Sequence, residues 1–274
     1  MFDYKILKNE KAIDLNSLIQ IPDDFINLPD EEKIAVFDCD NTIIHGDISE
    51  AVFVLLKKKG YDLNFTWHEY NSLINDSKKE EAYKKLISCY AGISKYTIQD
   101  VTNEAINKYS EEIKFISFTE KGKFYSLPLP LKNSLMEKLI LKLDMLGFNI
   151  YVVSASYDLS VKIACRELFG IREKNVYGMK LAEKDGLLTS EIIEPVSCFY
   201  GKQDVFHEFI SKNPPLITAG DSNNDLPLLE LTSPKGTVLW MDKFEADEEK
   251  NNESFENAKN KLNRDIIRII PEEI

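Results

Sequence analysis

The apolar positions of this chain change their period along its length. Residues 34–37, IAVF, form an unbroken apolar run that reads as a strand buried on both faces and ends on "DCDNT". From about 47 to 128 the period becomes helical, with stripes such as Tyr83, Leu86, Ile87 and Tyr90. Thr66 with Glu69, Ser77 with Glu80 and Thr97 with Asp100 each place a capping oxygen three residues before an acid, which predicts helix starts there. Only "KFISFTEKGKFYSL", 114–127, is left open as a strand pair. From Pro128 onward helix and strand alternate. Helix 132–146 stops at Gly147, strand 148–156 follows, and helix 157–169 stops at Gly170. A hairpin turning at Asp185 and Gly186, a helix over 202–211 and strands at 216–220 and 237–241 complete the alternation. Phe255, Ala258, Leu262, Ile266 and Ile269 then share one stripe of a predicted tail helix, expected to dock on the core.

Alternation of this kind predicts an α/β fold, a doubly wound, mainly parallel sheet flanked by helices. The expected organisation is an N-terminal extension 1–33, a core formed by 34–46 and 129–241, a helical insert 47–128 and a tail helix 242–274. In a parallel sheet the carboxyl ends of the strands open on one edge, where ligands bind. Asp38 and Asp40, the serines of "VVSAS", and Asp221 with Asp225 of "LITAGDSNNDLP" are all expected at that edge, within reach of Lys202.

Composition narrows the partners. The net charge of −12 opposes binding to a nucleic-acid backbone, and the run Lys57–Lys59 reads as a solvated face. Cys39, Cys89, Cys165 and Cys198 make no CxxC pair, and the opening "MFDYKILKNEKAID" has no charged segment leading into an apolar one. No apolar run is long enough for a membrane span. A reduced, cytoplasmic protein is expected; the pattern specifies no oligomeric state.

Two like charges at a strand end need a cation. Asp38, Asp40 and Asp221 are hard oxygen donors of the kind that suits Mg²⁺, an ion that takes one or two carboxylates and shares its other positions with water and phosphate. His45, His68 and His207 lack HxH or HExxH spacing and read as packing or surface residues. A carboxylate beside a cation can attack phosphorus, and a second acid two residues on can protonate a leaving oxygen and then activate water.

"DCDNT", the serine of "VVSAS", the Gly201–Lys202 pair and "GDSNND" resemble, in order and spacing, the four motifs of the haloacid dehalogenase superfamily of phosphohydrolases. The resemblance spans roughly 34–230 and implies the superfamily's Rossmann-like core with an inserted α-helical cap. It further implies Asp38 as nucleophile, Asp40 as general acid/base with its backbone carbonyl on the metal, and Ser154 and Lys202 as phosphate-binding groups. Thr42 would hold the first loop among those groups, Asp221 would ligate Mg²⁺, and Asp225 would ligate or orient the metal's waters. An acid two residues after the nucleophile fits phosphatases and phosphomutases; dehalogenases lack it and ion-pumping ATPases carry threonine there. The chain resembles phosphoserine and phosphocholine phosphatases in carrying an acid nine residues after the nucleophile, Asp47, which would face a substrate ammonium. Ala155 places the second motif nearer the phosphocholine type. Phe53, Phe65, Trp67, Tyr70 and Tyr90 could add cation–π contacts, though at helical spacing they read chiefly as core. The implied partner is a small phosphorylated metabolite such as phosphocholine, phosphoethanolamine or phosphoserine. The alternatives are a phosphomutase or phosphotransferase on the same fold, and a non-turnover phospho-aspartate signalling or binding protein.

Overall fold

The computed structural model describes residues 2–18, 21–244 and 246–273. Of the expected extension and tail, residues 1, 19, 20, 245 and 274 lie outside the described residues. The chain divides into two compact units: Met1–His45, Lys132–Val153 and Phe199–Ile274 form the first, and Gly46–Leu131 with Ser154–Cys198 the second. The division falls inside the strand Asn149–Tyr157, after Val153.

In the first unit the apolar runs pair as a parallel sheet. Ile34–Phe37 lies between Asn149–Tyr157 and Ile217–Gly220, followed by Thr237–Met241 and Ile266–Glu273. Phe2–Lys8 adds antiparallel to Ile266–Glu273, and Lys11–Ile13 adds to Phe2–Lys8. Ala35, Val36 and Phe37 are fully buried, as a strand covered on both faces requires. The fold class is thus α/β with a mainly parallel sheet, to which Phe2–Lys8 and Lys11–Ile13 add an antiparallel edge beside Ile266–Glu273.

Those ends depart from the sequence pattern. Residues 1–33 were expected as an extension, yet they supply two sheet strands. The tail was expected as one helix, but the helix covers Glu248–Leu262 and ends at Asn263 in the left-handed conformation (φ +46°). Asn tolerates that conformation and closes helices there. Ile266 and Ile269 therefore sit on the strand Ile266–Glu273, where β-branched residues suit a pleated, buried surface. Phe255, Ala258 and Leu262 remain on the helix and pack against Leu226, Leu229, Val238, Trp240 and Ile266, so the helix docks on the core.

The second unit is helical with two hairpins. Ile48–Lys58 packs against Lys95–Ala105 and Asp158–Phe169. The 114–127 segment is a hairpin, Phe115–Glu120 with Lys123–Pro128, so the insert is not wholly helical. A second hairpin, Val176–Lys184 with Leu187–Ile193, turns at Asp185 and Gly186, both with positive φ, as a two-residue turn demands. Of the three predicted helix starts, Thr66 and Glu69 form a reciprocal capping box. Ser77 instead adopts φ +60° and Lys78 precedes its helix without a side-chain cap, while Ser94, not Thr97, caps Lys95–Ala105 by accepting from Thr97 N. Trp67 packs among Phe53, Tyr70, Phe118 and Tyr125, with ring centroids 5.0–6.4 Å away. Phe53, Phe65, Trp67, Tyr70 and Tyr90 are all buried, which makes them the core of this unit. Among the described residues no helix is long and apolar enough to cross a membrane.

Candidate active site

Parallel pairing of Phe37 with Ala219 brings the ends of two strands to one edge of the sheet. Asp38 N donates to Ala219 O at 2.9 Å, extending that ladder by one residue. The chain then turns tightly: Cys39 O accepts from Thr42 N, Ile43 N and Ile44 N, with Asn41 in the left-handed conformation at φ +57°. The turn folds Thr42 back so that its Oγ1 donates to Asp38 Oδ2 at 3.1 Å. Asn133 fixes the turn from below, donating from Nδ2 to Thr42 O while its Oδ1 caps the helix Ser134–Met145.

On the neighbouring strand, Gly220 has a steric reason to be glycine. A Cβ there would lie 2.5 Å from Asp225 Cβ, so a side chain would push Asp225 out of place. Asp225 Oδ2 accepts from Asp221 N, Ser222 N and Ser222 Oγ at 3.0–3.1 Å. Its Oδ1 accepts from Lys202 Nζ at 2.6 Å, and the same ammonium donates to Asp38 Oδ1 at 2.6 Å. The side chain of Lys202 is 0% exposed, and two of its three N–H donors are spent on these carboxylates. The loop ahead of it is held by Asn224, whose Oδ1 accepts from Phe199 N at 2.7 Å. Phe199 sits at φ +47°, a conformation that costs a bulky residue about 1–3 kcal/mol and persists only where neighbours enforce it.

Electrostatics follow from burial. Burial and the Asp225 carboxylate push the Asp38 carboxyl well above the usual range, with Lys202 opposing. Burial likewise lifts Asp221 to about 6, with Lys243 opposing and Asp225 adding. For Asp225 burial acts upward too, but Lys202 and the hydrogen bonds outweigh it and hold the group low. Burial disfavours a charged Lys202, yet Asp225 and Asp38 hold its ammonium above the ordinary lysine range.

Asp38, Asp221 and Asp225, all buried, each offer one oxygen, and these oxygens lie within 4.8 Å of one another. Asp221 Oδ2 is buried and receives no hydrogen bond. Lys243 Nζ lies 2.8 Å from it as an ion pair. Hard, anionic, buried oxygens with one left short of donors fit a hard divalent cation and do not fit a soft metal.

Of the residues singled out from the sequence, Asp38, Thr42, Lys202, Asp221 and Asp225 meet in the first unit. Asp40 lies half-buried on the same turn and bridges to Ile44. Ser154 and Asp47 belong to the second unit. Ser154 is buried, with Oγ accepting from Ser156 N at 3.0 Å, and Asp47 caps the helix Ile48–Lys58 by accepting from Glu50 N at 2.9 Å. Sequence reasoning did not name Lys243 or Asn224. Asn224 could have been found as an amide inside the acidic loop, whereas Lys243 reaches Asp221 only through the tertiary fold.

A mainly parallel α/β sheet with a buried carboxylate–lysine centre where its strands end defines a protein that handles charged ligands at that edge. The sequence matches the family of haloacid dehalogenase-like hydrolases over residues 35–230, and the chain belongs to that family. A search of curated proteins finds no match. Among solved structures the fold is similar to a conserved, functionally unknown protein from Anaerococcus prevotii DSM 20548, with 17% identity, TM-score 0.58, and 82% of this chain and 84% of that chain covered. It is similar also to a protein of unknown function from Bordetella pertussis Tohama I, with 17% identity, TM-score 0.56, and 76% and 88% covered. A phosphoserine phosphohydrolase-like protein from Francisella tularensis subsp. tularensis SCHU S4 matches at 17% identity and TM-score 0.50, with 76% and 86% covered.

Proposed function

We propose that this protein is a Mg²⁺-dependent phosphomonoester hydrolase that works through an aspartyl-phosphate intermediate on a small cytoplasmic metabolite. The observation that carries the reading is the Lys202 ammonium, 2.6 Å from both Asp38 and Asp225 in a buried setting. Lysine has three N–H donors; two are used here, which leaves one for a phosphoryl oxygen. Asp38, Asp221 and Asp225 are the side chains that would hold Mg²⁺, together with the Asp40 carbonyl implied by the family resemblance. When bound, the ion supplies positive charge to the phosphoryl oxygens and lets the anionic nucleophile approach an anionic substrate.

Asp38 attacks phosphorus and the ester P–O bond breaks. Asp40 gives its proton to the departing alkoxide, then takes one from water as that water attacks the acyl phosphate, releasing inorganic phosphate and regenerating Asp38. Ser154 is assigned to the phosphoryl oxygens and Asp47 to an ammonium on the substrate, which directs the search to phosphocholine, phosphoethanolamine and phosphoserine. The lysine at the centre, the family and the likeness to a phosphoserine phosphohydrolase-like fold support this reading.

The test is phosphate release from a panel of phosphomonoesters, p-nitrophenyl phosphate included, with Mg²⁺ or with EDTA, for the wild type and Asp38→Asn. Steady-state release that needs Mg²⁺ and falls at least about 10³-fold in Asp38→Asn is expected, because the change removes a nucleophile and a metal ligand together. Near-normal turnover by the variant would sink the covalent mechanism. Transfer of phosphate to a second alcohol in place of water would identify a phosphotransferase.

A further inference from the structure

The strand Thr237–Met241 runs parallel to Ile217–Gly220, with Trp240 beside Gly220, so the chain leaves both strands from the same edge. The segment just past Met241 is gripped by the tail helix. Asn251 Oδ1 accepts from Lys243 N at 3.0 Å and Asn251 Nδ2 donates to Lys243 O at 2.9 Å, which fixes the Lys243 backbone through both of its polar groups. Farther along the same helix, Asn257 Nδ2 donates to Asn223 Oδ1 in the loop that carries Asp221 and Asp225. Held in this way, the Lys243 side chain reaches Asp221 Oδ2 at 2.8 Å while remaining 39% exposed.

That oxygen is the one buried side-chain polar atom without a hydrogen bond among the described residues. It also belongs to the carboxylate trio of Asp38, Asp221 and Asp225. Three ionised carboxylates against the single charge of Lys202 would leave the centre strongly negative in a buried setting, where like charges repel far more than in water. Lys243 reduces that excess. A divalent cation drawn to Asp221 Oδ2 would meet an ammonium already in contact with it, and two cations cannot share that position at low cost. The Lys243 side chain is partly exposed, so its ammonium can turn toward water, whereas the Lys202 side chain is fully buried.

We infer that Lys243 is a built-in counter-ion of the metal-free centre: its ammonium neutralises Asp221 until a divalent cation displaces it, and this competition sets how tightly the centre holds the cation. The inference rests on reading Asp38, Asp221 and Asp225 as metal ligands. Asn251 is the positioning residue that keeps the competitor in place, so the C-terminal helix takes part in tuning a site it does not touch through any ligand.

Two measurements on the full chain test this. In the first, the EDTA-dialysed protein is labelled with an amine-reactive ester and the rate at Lys243 is followed by mass spectrometry, with and without Mg²⁺. An ion-paired ammonium reacts slowly, so Mg²⁺ should accelerate labelling at Lys243. In the second, Mg²⁺ is titrated calorimetrically into wild type and Lys243→Met, which keeps an unbranched side chain and removes the charge. The variant should bind Mg²⁺ roughly 3- to 30-fold more tightly, and should melt at lower temperature than wild type in EDTA but gain more from added Mg²⁺. If Mg²⁺ raises the melting temperature of the wild type yet leaves Lys243 labelling unchanged, the counter-ion role is wrong and the metal centre stands. Equal or weaker Mg²⁺ binding by Lys243→Met overturns it as well. If Mg²⁺ neither binds nor stabilises the wild type, the metal centre itself fails and the counter-ion role falls with it.

Discussion

Asp40 leaves the same turn as Asp38 but meets a different environment. Asp38 is 4% exposed and locked between Thr42 and Lys202, whereas Asp40 is only half-buried. A nucleophile gains from being held; a proton carrier has to exchange with water between the two half-reactions. Asp40→Asn is therefore expected to lower kcat by roughly 10²- to 10⁴-fold on an alkyl phosphate. The loss should be smaller on p-nitrophenyl phosphate, because p-nitrophenolate departs without a proton. Equal losses on the two substrates would give Asp40 some other task. A DxD pair alone is common by chance; these acids were legible because the pair comes in order with Ser154, Lys202 and the Asp221–Asp225 loop. Lys243 was not legible for an equally physical reason. Its approach to Asp221 depends on Asn251, eight residues later and on another element, and no local pattern encodes such a tertiary clamp.

At the scale of elements, the helix Ile48–Lys58 opens the second unit with a double use of one side chain. Asp47 is its N-cap, accepting from Glu50 N, and it is also the acid assigned to a substrate ammonium. The two uses separate by substitution. Asn caps a helix about as well as Asp but carries no charge, whereas Ala does neither and costs roughly 0.5–2 kcal/mol of stability. Asp47→Asn should therefore melt close to wild type while losing roughly 10- to 100-fold in kcat/KM on phosphocholine or phosphoethanolamine, about 1.4–2.7 kcal/mol of transition-state binding. On p-nitrophenyl phosphate the change should stay within a few-fold. A loss shared by charged and neutral substrates would make Asp47 a structural cap only. Element type is legible where a single period runs unopposed, as in Ile34–Phe37 and the hairpin at Asp185–Gly186. It is misleading at the C-terminus, where Ile266 and Ile269 happen to continue the helical stripe of Phe255, Ala258 and Leu262. The left-handed Asn263 breaks that helix, and pairing with Phe2–Lys8, more than 250 residues away in sequence, decides for strand. Non-local pairing of this kind leaves no trace in a short window.

Over the molecule as a whole, the closure of the chain's ends onto one sheet buries a titratable group with a calculable effect on folding. Tyr4, on the N-terminal strand, places its hydroxyl 2.9 Å from His45 Nε2, and the imidazole stacks on the Tyr4 ring and meets the edge of Phe244. His45 is 4% exposed, and burial depresses its pKa to about 4 from the ordinary 6.5. Between those two values the unfolded chain binds a proton that the native protein does not, so stability rises with pH through the window and is lost as pH falls from about 6.5 toward about 4. A shift of this size corresponds to about 3 kcal/mol. Asp221, lifted to about 6, acts in the opposite sense over an overlapping range: its native state holds the extra proton, and stability declines as pH rises through that interval. The raised Asp38 carboxyl acts in the same sense as Asp221, and the lowered Asp225 in the sense of His45. The raw pH curve of the protein therefore mixes several opposed contributions. Denaturant unfolding of wild type and His45→Asn in EDTA at matched pH isolates one of them, because the carboxylate contribution is common to both and cancels in the difference. The wild type should lose about 3 kcal/mol relative to the variant on going from pH 7 to pH 4. Parallel curves across that range would mean that His45 takes up its proton without leaving its place between Tyr4 and Phe244, and that the junction of the N-terminal strand with the core tolerates a charge.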